Sequence, residues 1–109
     1  MQAEDFIVVL VTAGGADEAA RVGRALVEER LAACANVVPG VRSIYRWKDA
    51  VEEADESLLV VKARAADADA VAARVRALHS YEVPKVIALP LSAGSAPYLA
   101  WLADATARG

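Results

Sequence analysis

The feature that most constrains the fold is a β-strand longer than a small domain can accommodate. Residues 34–48, CANVVPGVRSIYRWK, read as one strand. At ~3.3 Å per residue this segment would extend over roughly 50 Å if it were straight. A domain of this size has a radius of gyration of only about 13 Å. The strand must therefore bend, protrude from the domain, or do both.

A bend is predicted at Pro39-Gly40. Proline cannot donate a hydrogen bond to a neighbouring strand, and glycine tolerates the backbone geometry of a bulge. Beyond the bend, the side chains alternate between two faces of the strand. One face carries Val41, Ser43, Tyr45 and Trp47, and the other carries Arg42, Ile44, Arg46 and Lys48.

A hairpin that protrudes with aromatic side chains on one face needs a cover, because a lone two-stranded ribbon is unstable in water. The simplest cover is another copy of the same chain, so the hairpin is predicted to be an oligomerisation arm. Tyr45 and Trp47 are assigned to the subunit interface, where aromatic residues are enriched. The alternative, a platform on which nucleic-acid bases stack, is disfavoured by the net charge of −3.

The overall composition excludes several classes of protein. A chain of 109 residues predicts a single domain, residues 1–109. The apolar run 6–11 falls far short of the ~20 residues of a membrane span, and the acidic balance argues against a nucleic-acid binder. Cys34 is the single cysteine and no signal peptide opens the chain, so a cytoplasmic location is expected.

The pattern of apolar residues predicts the order β-α-β-β-α-β followed by a short helix. The expected elements are a strand over 6–12, a helix over 17–33, the long arm, an acidic turn over 49–55, a return strand over 56–63, a second helix capped by Asp67 or Asp69, a strand over 86–91 and a last helix opened by Pro97. This order is that of a ferredoxin-like α+β sandwich. Right-handed crossovers place both central helices on one face of the sheet. The opposite face is then expected to lack a helix.

Five groups of residues, in order along the chain, resemble the CutA proteins, which are also called divalent-cation tolerance proteins. The groups are Cys34-Ala-Asn36, Ser43-Ile-Tyr45-x-Trp47-Lys48, Glu56-x-x-Leu59-x-x-Lys62, His79-x-Tyr81-x-x-Pro84 and Tyr98-Leu99-x-Trp101. The resemblance covers nearly the whole chain. It implies a ferredoxin-like subunit, a homotrimer built through the long hairpins, similarity to PII signalling trimers, binding of divalent metals such as Cu²⁺, and a cytoplasmic location. It implies no enzymatic reaction.

The resemblance carries over to the metal site at only one position. The family's described copper ligands resemble a cysteine just after the first strand and two consecutive histidines; here Val11 and Leu78 occupy two of those positions and only His79 matches. A selective metal site needs three or four ligands, so a neighbouring subunit would have to contribute. Cys34 and Glu82 are the candidates by chemistry. The alternative for His79 is a residue at the end of a helix, whose positive charge interacts favourably with the negative end of the helix dipole. The alternative for Cys34 is a small apolar side chain buried in the core.

Four further residues are candidates for a ligand-binding cleft. Glu56 and Lys62 lie an even number of residues apart on one strand and therefore share a face, where a lysine could meet an anionic ligand. A structural ion pair with a neighbouring strand or subunit explains these two residues equally well. Tyr81 and Trp101 are candidates for the floor of the cleft or for simple packing.

Three functions are compatible with these patterns. The first is a trimeric metal-binding or metal-tolerance protein, in which a metal settles in clefts between subunits. The second is a trimeric scaffold or PII-like small-molecule sensor that has no physiological metal. The third, ranked last, is an acylphosphatase-type hydrolase, because the segment from Val38 to Arg46 only faintly resembles a phosphate-binding loop and sits inside a strand.

Overall fold

The structure is a computed structural model that describes residues 1–108. Its elements are β1 (Phe6–Ala13), α1 (Ala16–Glu28), β2 (Cys34–Trp47), β3 (Ala50–Arg64), α2 (Ala68–Leu78), β4 (Ile87–Pro90) and α3 (Ala96–Ala105), with 3-10 turns at Ala3–Asp5 and Ala65–Asp67. The strands form one sheet in the order β2-β3-β1-β4, and all neighbours are antiparallel. This topology confirms the predicted ferredoxin-like α+β fold with its long hairpin and C-terminal helix.

The main core lies between the sheet and helices α1 and α2. Odd-numbered positions of β1 and of residues 57–63 in β3 point toward the helices and are almost completely buried; they include Val9, Val11, Leu59 and Val61. Gly23 lets α1 approach the sheet closely, because a Cβ atom there would lie 3.0 Å from the Cβ of Ala35 and 3.1 Å from a methyl group of Leu59. Helix α1 therefore packs closely on the parts of β2 and β3 that contain Ala35 and Leu59, which we call the inner half of the hairpin.

Helix α3 packs on the opposite side of the sheet from α1 and α2. Phe6, an even-numbered position of β1, forms a second apolar cluster with Ala33, Leu99 and Leu102. The guanidinium of Arg64 donates to the hydroxyl of Thr106 and to the carbonyl oxygen of Ala103, at 2.8 and 2.6 Å. The expectation that this face lacks a helix was therefore wrong at one end of the sheet, because the C-terminal segment folds back over it.

The rest of the second face stays open. Ile87 and Leu89 on β4 are each 49% exposed, and Val38 on β2 is 43% exposed. These side chains share the face of Phe6, as their pairing with even-numbered positions of β1 and β3 shows. An apolar sheet face is thus left without a cover in the single chain.

The hairpin formed by β2 and β3 bends and protrudes as predicted. The two strands pair from Cys34 opposite Lys62 to Trp47 opposite Ala50, with a register shift between Val38 and Val41. Gly40 lies in this irregularity with a φ of +78°, a left-handed conformation that glycine adopts without strain. The molecule measures 45 Å in its longest dimension and only 26 and 23 Å in the other two.

The predicted acidic turn over 49–55 was wrong. The chain reverses at Lys48 and Asp49, whose φ values of +49° and +67° match the left-handed geometry of tight hairpin turns. The strand β3 resumes at once, and every residue from Ala50 to Asp55 pairs with β2. Because Lys48 and Asp49 alone close this hairpin, the acidic residues Glu52, Glu53 and Asp55 lie along a strand edge instead of in a loop.

Other boundaries also differ from the prediction. Helix α1 ends at Glu28 instead of residue 33. The chain turns at Arg30, which has a φ of +59°, and the carbonyl oxygen of Leu26 accepts hydrogen bonds from the N–H groups of Leu31 and Ala32. Strand β4 is shorter than residues 86–91, and its Pro90 lies on an edge strand, as expected. Asp67 stands at the start of α2, but its carboxylate forms no capping bond and pairs with Arg108 at 2.9 Å.

Replacing Leu26 by alanine tests the packing of α1 on the sheet. Leu26 is fully buried, so the change should lower the free energy of unfolding by about 2–5 kcal/mol through lost apolar contact and a residual cavity. The neighbouring change Val27→Ala is the control, since Val27 is 38% exposed on the same helix. Urea unfolding should separate the two variants, and equal effects would contradict this packing.

Candidate functional site

His79 attaches the segment after α2 to the end of the sheet. Its ring is buried, with the Nε2 atom 2.7 Å from the carbonyl oxygen of Thr12. The N–H of Tyr81 donates to the Nδ1 atom at 3.0 Å. Because a carbonyl oxygen only accepts, Nε2 carries the proton and Nδ1 is the acceptor. Both ring nitrogens therefore have a partner within the chain.

Glu18 provides a second attachment of the same segment. One carboxylate oxygen accepts from the N–H of Ser80 at 2.8 Å, and the other accepts from the N–H of Gly14 at 3.3 Å. Burial by itself would raise the pKa of Glu18, but the hydrogen bonds from Ser80 and Gly14 together lower it. Glu18 is not among the site residues predicted from the sequence, since no motif marks a carboxylate in the first helical turn as an anchor for a distant loop.

Tyr81 and Glu56 form a hydrogen-bonded pair. The phenol of Tyr81 donates to a carboxylate oxygen of Glu56 at 2.7 Å, and Glu56 is only 8% exposed. Burial and the adjacent carboxylate raise the pKa of Tyr81, so its hydroxyl stays protonated and remains a donor. The structure thus brings together two of the four residues predicted to line a cleft. We call Glu56, Tyr81 and His79 the Glu56 group.

An open cleft of about 800 Å³ lies between the hairpin and the segment 79–85. Tyr45 and Trp47 line its hairpin side and are 40% and 39% exposed. Its charged lining residues are Arg42, Arg46, Glu52, Glu56, Glu82 and Lys85. The cleft therefore combines aromatic surface with carboxylates and cations, and the Glu56 group forms its inner end.

Lys62 belongs to a second group on the same face of β3. Its ammonium donates to the side-chain oxygen of Asn36, and Cys34 lies directly opposite it on β2. The thiol of Cys34 is 3.7 Å from the hydroxyl of Tyr98, and burial together with this contact raises the pKa of Tyr98. The ring of Tyr98 in turn lies 5.6 Å from that of Trp101. We call Lys62, Asn36, Cys34, Tyr98 and Trp101 the Lys62 group.

The predicted cleft residues are thus divided between two places in one chain. Glu56 and Lys62 share a strand and a face, but six residues at ~3.3 Å per residue separate them by roughly 20 Å. Tyr81 lies with Glu56, whereas Trp101 lies beside Tyr98 in the Lys62 group. Cys34 also lies in the Lys62 group, so the chain does not bring it to His79.

A metal ion does not fit His79 within a single chain. Binding there would remove one of the two hydrogen bonds of the ring. Among residues 1–108, no three side chains of histidine, cysteine, aspartate or glutamate are close enough together to hold a metal ion. Glu82 is exposed on the lining of the cleft and is the predicted ligand best placed to receive a cation from solvent.

Acid should weaken the fold through Glu18. The lowered pKa of Glu18 means that its ionised form contributes stability above the unfolded value of 4.5, and this contribution is lost as the pH falls through the folded-state pKa. The variant Glu18→Gln lacks the contribution, so its melting temperature should fall less steeply than that of the wild type below about pH 4.5. Glu28→Gln, on the exposed side of α1, is the control. An unchanged slope in Glu18→Gln would contradict the assignment.

Comparison with known proteins places this fold and these residues in one family. Residues 7–105 match the family model described as CutA1 divalent ion tolerance protein. The divalent-cation tolerance protein CutA of Thermus thermophilus is 48% identical over 99 residues, which cover 91% of this chain and 96% of that protein. A chloroplastic CutA 1 protein of rice is 43% identical over 92% of this chain, but the match spans only 56% of the rice protein.

A solved structure supports the same relationship. The crystal structure of CutA from Xylella fastidiosa superposes with a TM-score of 0.91 at 36% identity, covering 94% of this chain and 99% of that one. The match extends over sheet, hairpin and helices together. The chain is therefore a member of the CutA1 divalent ion tolerance family.

Proposed function

We propose that this protein is a homotrimer that binds divalent cations, Cu²⁺ among them, at clefts between its subunits, and that this binding underlies divalent-cation tolerance. The observation that carries the proposal is the protruding hairpin. Its Tyr45 and Trp47 are about 40% exposed beside an open cleft. A single chain therefore leaves this aromatic surface partly exposed and the cleft open to solvent.

The open sheet face supports assembly from several chains. Ile87, Leu89 and Val38 expose apolar surface on the side of the sheet that α3 leaves uncovered. Removing apolar surface from water stabilises an assembly by about 25 cal/mol per Å². A cyclic arrangement lets each subunit cover the face of the next, and closure into a ring leaves no face unpaired. The number of three subunits rests on family membership.

The cleft offers chemistry suited to a cation. Glu52 and Glu82 present carboxylates along its lining. Carboxylates alone favour hard cations, whereas Cu²⁺ prefers additional nitrogen or sulfur ligands. Since residues 1–108 of one chain do not gather a full set of ligands, residues from a neighbouring subunit would complete the site. Holding a metal there would sequester it or report its concentration.

The proposed setting is the cytoplasm, and the proposed role is not enzymatic. No helix within residues 1–108 is long and apolar enough to cross a membrane. The segment that faintly resembled a phosphate-binding loop is a bulge within β2, with no helix N-terminus to receive a phosphate. We propose divalent cations and further copies of the chain as the partners, without nucleic acid or membrane.

A PII-like sensor of small molecules, or a trimeric scaffold, is the second candidate. A volume of about 800 Å³ lies within the range of about 300–1,000 Å³ typical of small-molecule sites. Aromatic side chains on the lining suit an organic ligand as well as a subunit contact. In this candidate, the cleft would bind a ligand without a metal.

The wild-type protein is expected to sediment as a trimer at micromolar concentration. Trp47→Ala removes an aromatic anchor from the hairpin, so it should raise the dissociation constant of the assembly by about tenfold or more. Val27→Ala removes an exposed apolar group from α1 and serves as the control. A folded wild-type monomer at this concentration would refute the proposed assembly.

Calorimetric titration with Cu²⁺ tests the proposed cation binding. The wild-type trimer should show saturable heat in the micromolar range, and Glu82→Gln should weaken binding because it removes a carboxylate from the cleft. The control is Glu53→Gln. Glu53 is exposed and lies on the face of β3 opposite to Glu56, so this change should leave the Cu²⁺ affinity unchanged.

The same titration separates the two candidate functions. If the wild type gives no saturable heat, the scaffold or small-molecule sensor is the better description. His79→Ala should leave Cu²⁺ affinity unchanged as long as the variant stays folded, because both ring nitrogens of His79 are occupied. A large loss of affinity in a folded His79→Ala trimer would instead identify His79 as a ligand.

A further inference from the structure

Two opposite charges on one sheet face, Glu56 and Lys62, form no ion pair among residues 1–108. The carboxylate of Glu56 accepts a hydrogen bond from Tyr81, and the ammonium of Lys62 donates one to Asn36. Neither residue takes part in an ion pair within residues 1–108, although other charged residues do. Both side chains project from even-numbered positions of β3.

The burial of Glu56 makes the missing counter-charge important. Its residue exposure is 8%, and a neutral phenol is its hydrogen-bond donor. A buried carboxylate is costly unless a cation or several strong donors compensate it. Lys62 cannot supply that charge in the same chain, because roughly 20 Å of extended strand separates the two residues.

We propose that Glu56 of one subunit pairs with Lys62 of the next subunit around the ring. The inference rests on the proposed trimer and adds the contact that joins its subunits. In a cyclic assembly each interface brings two different patches together, so the same pair would repeat at every interface. The two charges are complementary in sign and lie on the face that exposes apolar side chains. Both features favour a second copy of the chain as the occupant of that face.

The same pairing would make the cleft a composite of two subunits. One subunit contributes Glu56 and Tyr81, and the next contributes Lys62 and Trp101. Tyr81 is 36% exposed and Trp101 is 45% exposed, so each group has an aromatic surface available for contact. The four residues that the single chain divides between two groups are thereby reunited at the interface.

A double-mutant cycle tests the pair directly. The variants are Glu56→Gln, Lys62→Gln and the double variant, compared by sedimentation equilibrium in buffer with a chelator so that metal cannot replace the ammonium. Each single change should raise the dissociation constant of the trimer by about tenfold or more, because it leaves a charge without its partner. The dissociation constant of the double variant should lie within about threefold of that of the single variant whose trimer is less stable. The reason is that the second change removes a charge that has already lost its partner.

The geometry makes this cycle specific to the interface. Sites more than ~7–10 Å apart without shared partners have nearly additive effects, so coupling over roughly 20 Å within one chain is not expected. Glu53→Gln combined with Lys62→Gln is the matched control, since Glu53 lies on the other face of β3, and its effects should be additive. Circular dichroism establishes that each variant is folded, and the glutamine at position 56 can still accept from Tyr81.

The outcomes distinguish the pair from the assembly. Additive effects of Glu56→Gln and Lys62→Gln in an intact trimer would overturn the pairing and leave the trimer standing. A wild-type monomer would overturn the assembly and the pairing together. If Glu56→Gln instead strengthens the trimer, the carboxylate is unpaired at the interface and the proposal is wrong.

Discussion

Antiparallel pairing of β2 with β3 beyond the edge of the core is the constraint on which the rest of the structure depends. The inner half of the hairpin is held by α1, α2 and the neighbouring strand β1. The outer half has backbone pairing but no helix over it, and the bulge between Val38 and Val41 separates the two halves. The backbone hydrogen bonds between β2 and β3 therefore continue beyond the residues that the core buries, and Tyr45 and Trp47 are left partly exposed.

The opposite wall of the cleft is held by buried hydrogen bonds. His79 and Glu18 attach the segment after α2 to the ends of β1 and α1, and Tyr81 attaches it to β3 through Glu56. Loops that carry recognition residues work best when buried contacts fix their backbone. His79 contributes to this attachment through both nitrogens of its ring.

The division of the candidate residues into the Glu56 group and the Lys62 group has a consequence for where function resides. Each group has part of the chemistry of a binding site: one supplies a buried carboxylate with a phenol, and the other supplies an ammonium with a thiol and aromatic rings. The two ends of a rigid strand cannot approach each other. A site that uses both groups at once would therefore require residues from two copies of the chain.

The sequence by itself determined the order of strands and helices, the bulge at Pro39-Gly40 and the placement of Tyr45 and Trp47 on one face of the hairpin. These features follow from apolar periodicity and from backbone limits of proline and glycine, which act over a few residues. The predicted tip over residues 49–55 was wrong, because the acidic residues after Asp49 are equally compatible with a turn and with a strand edge.

Only the tertiary structure decided which distant groups meet. It placed α3 on the second sheet face, gave both nitrogens of His79 a partner, and separated Lys62 from Glu56. Such contacts join residues far apart in sequence, and no local pattern encodes them. They depend on how helices and strands pack once apolar surface is buried, and for that reason the chemistry of this site could be read only from the folded chain.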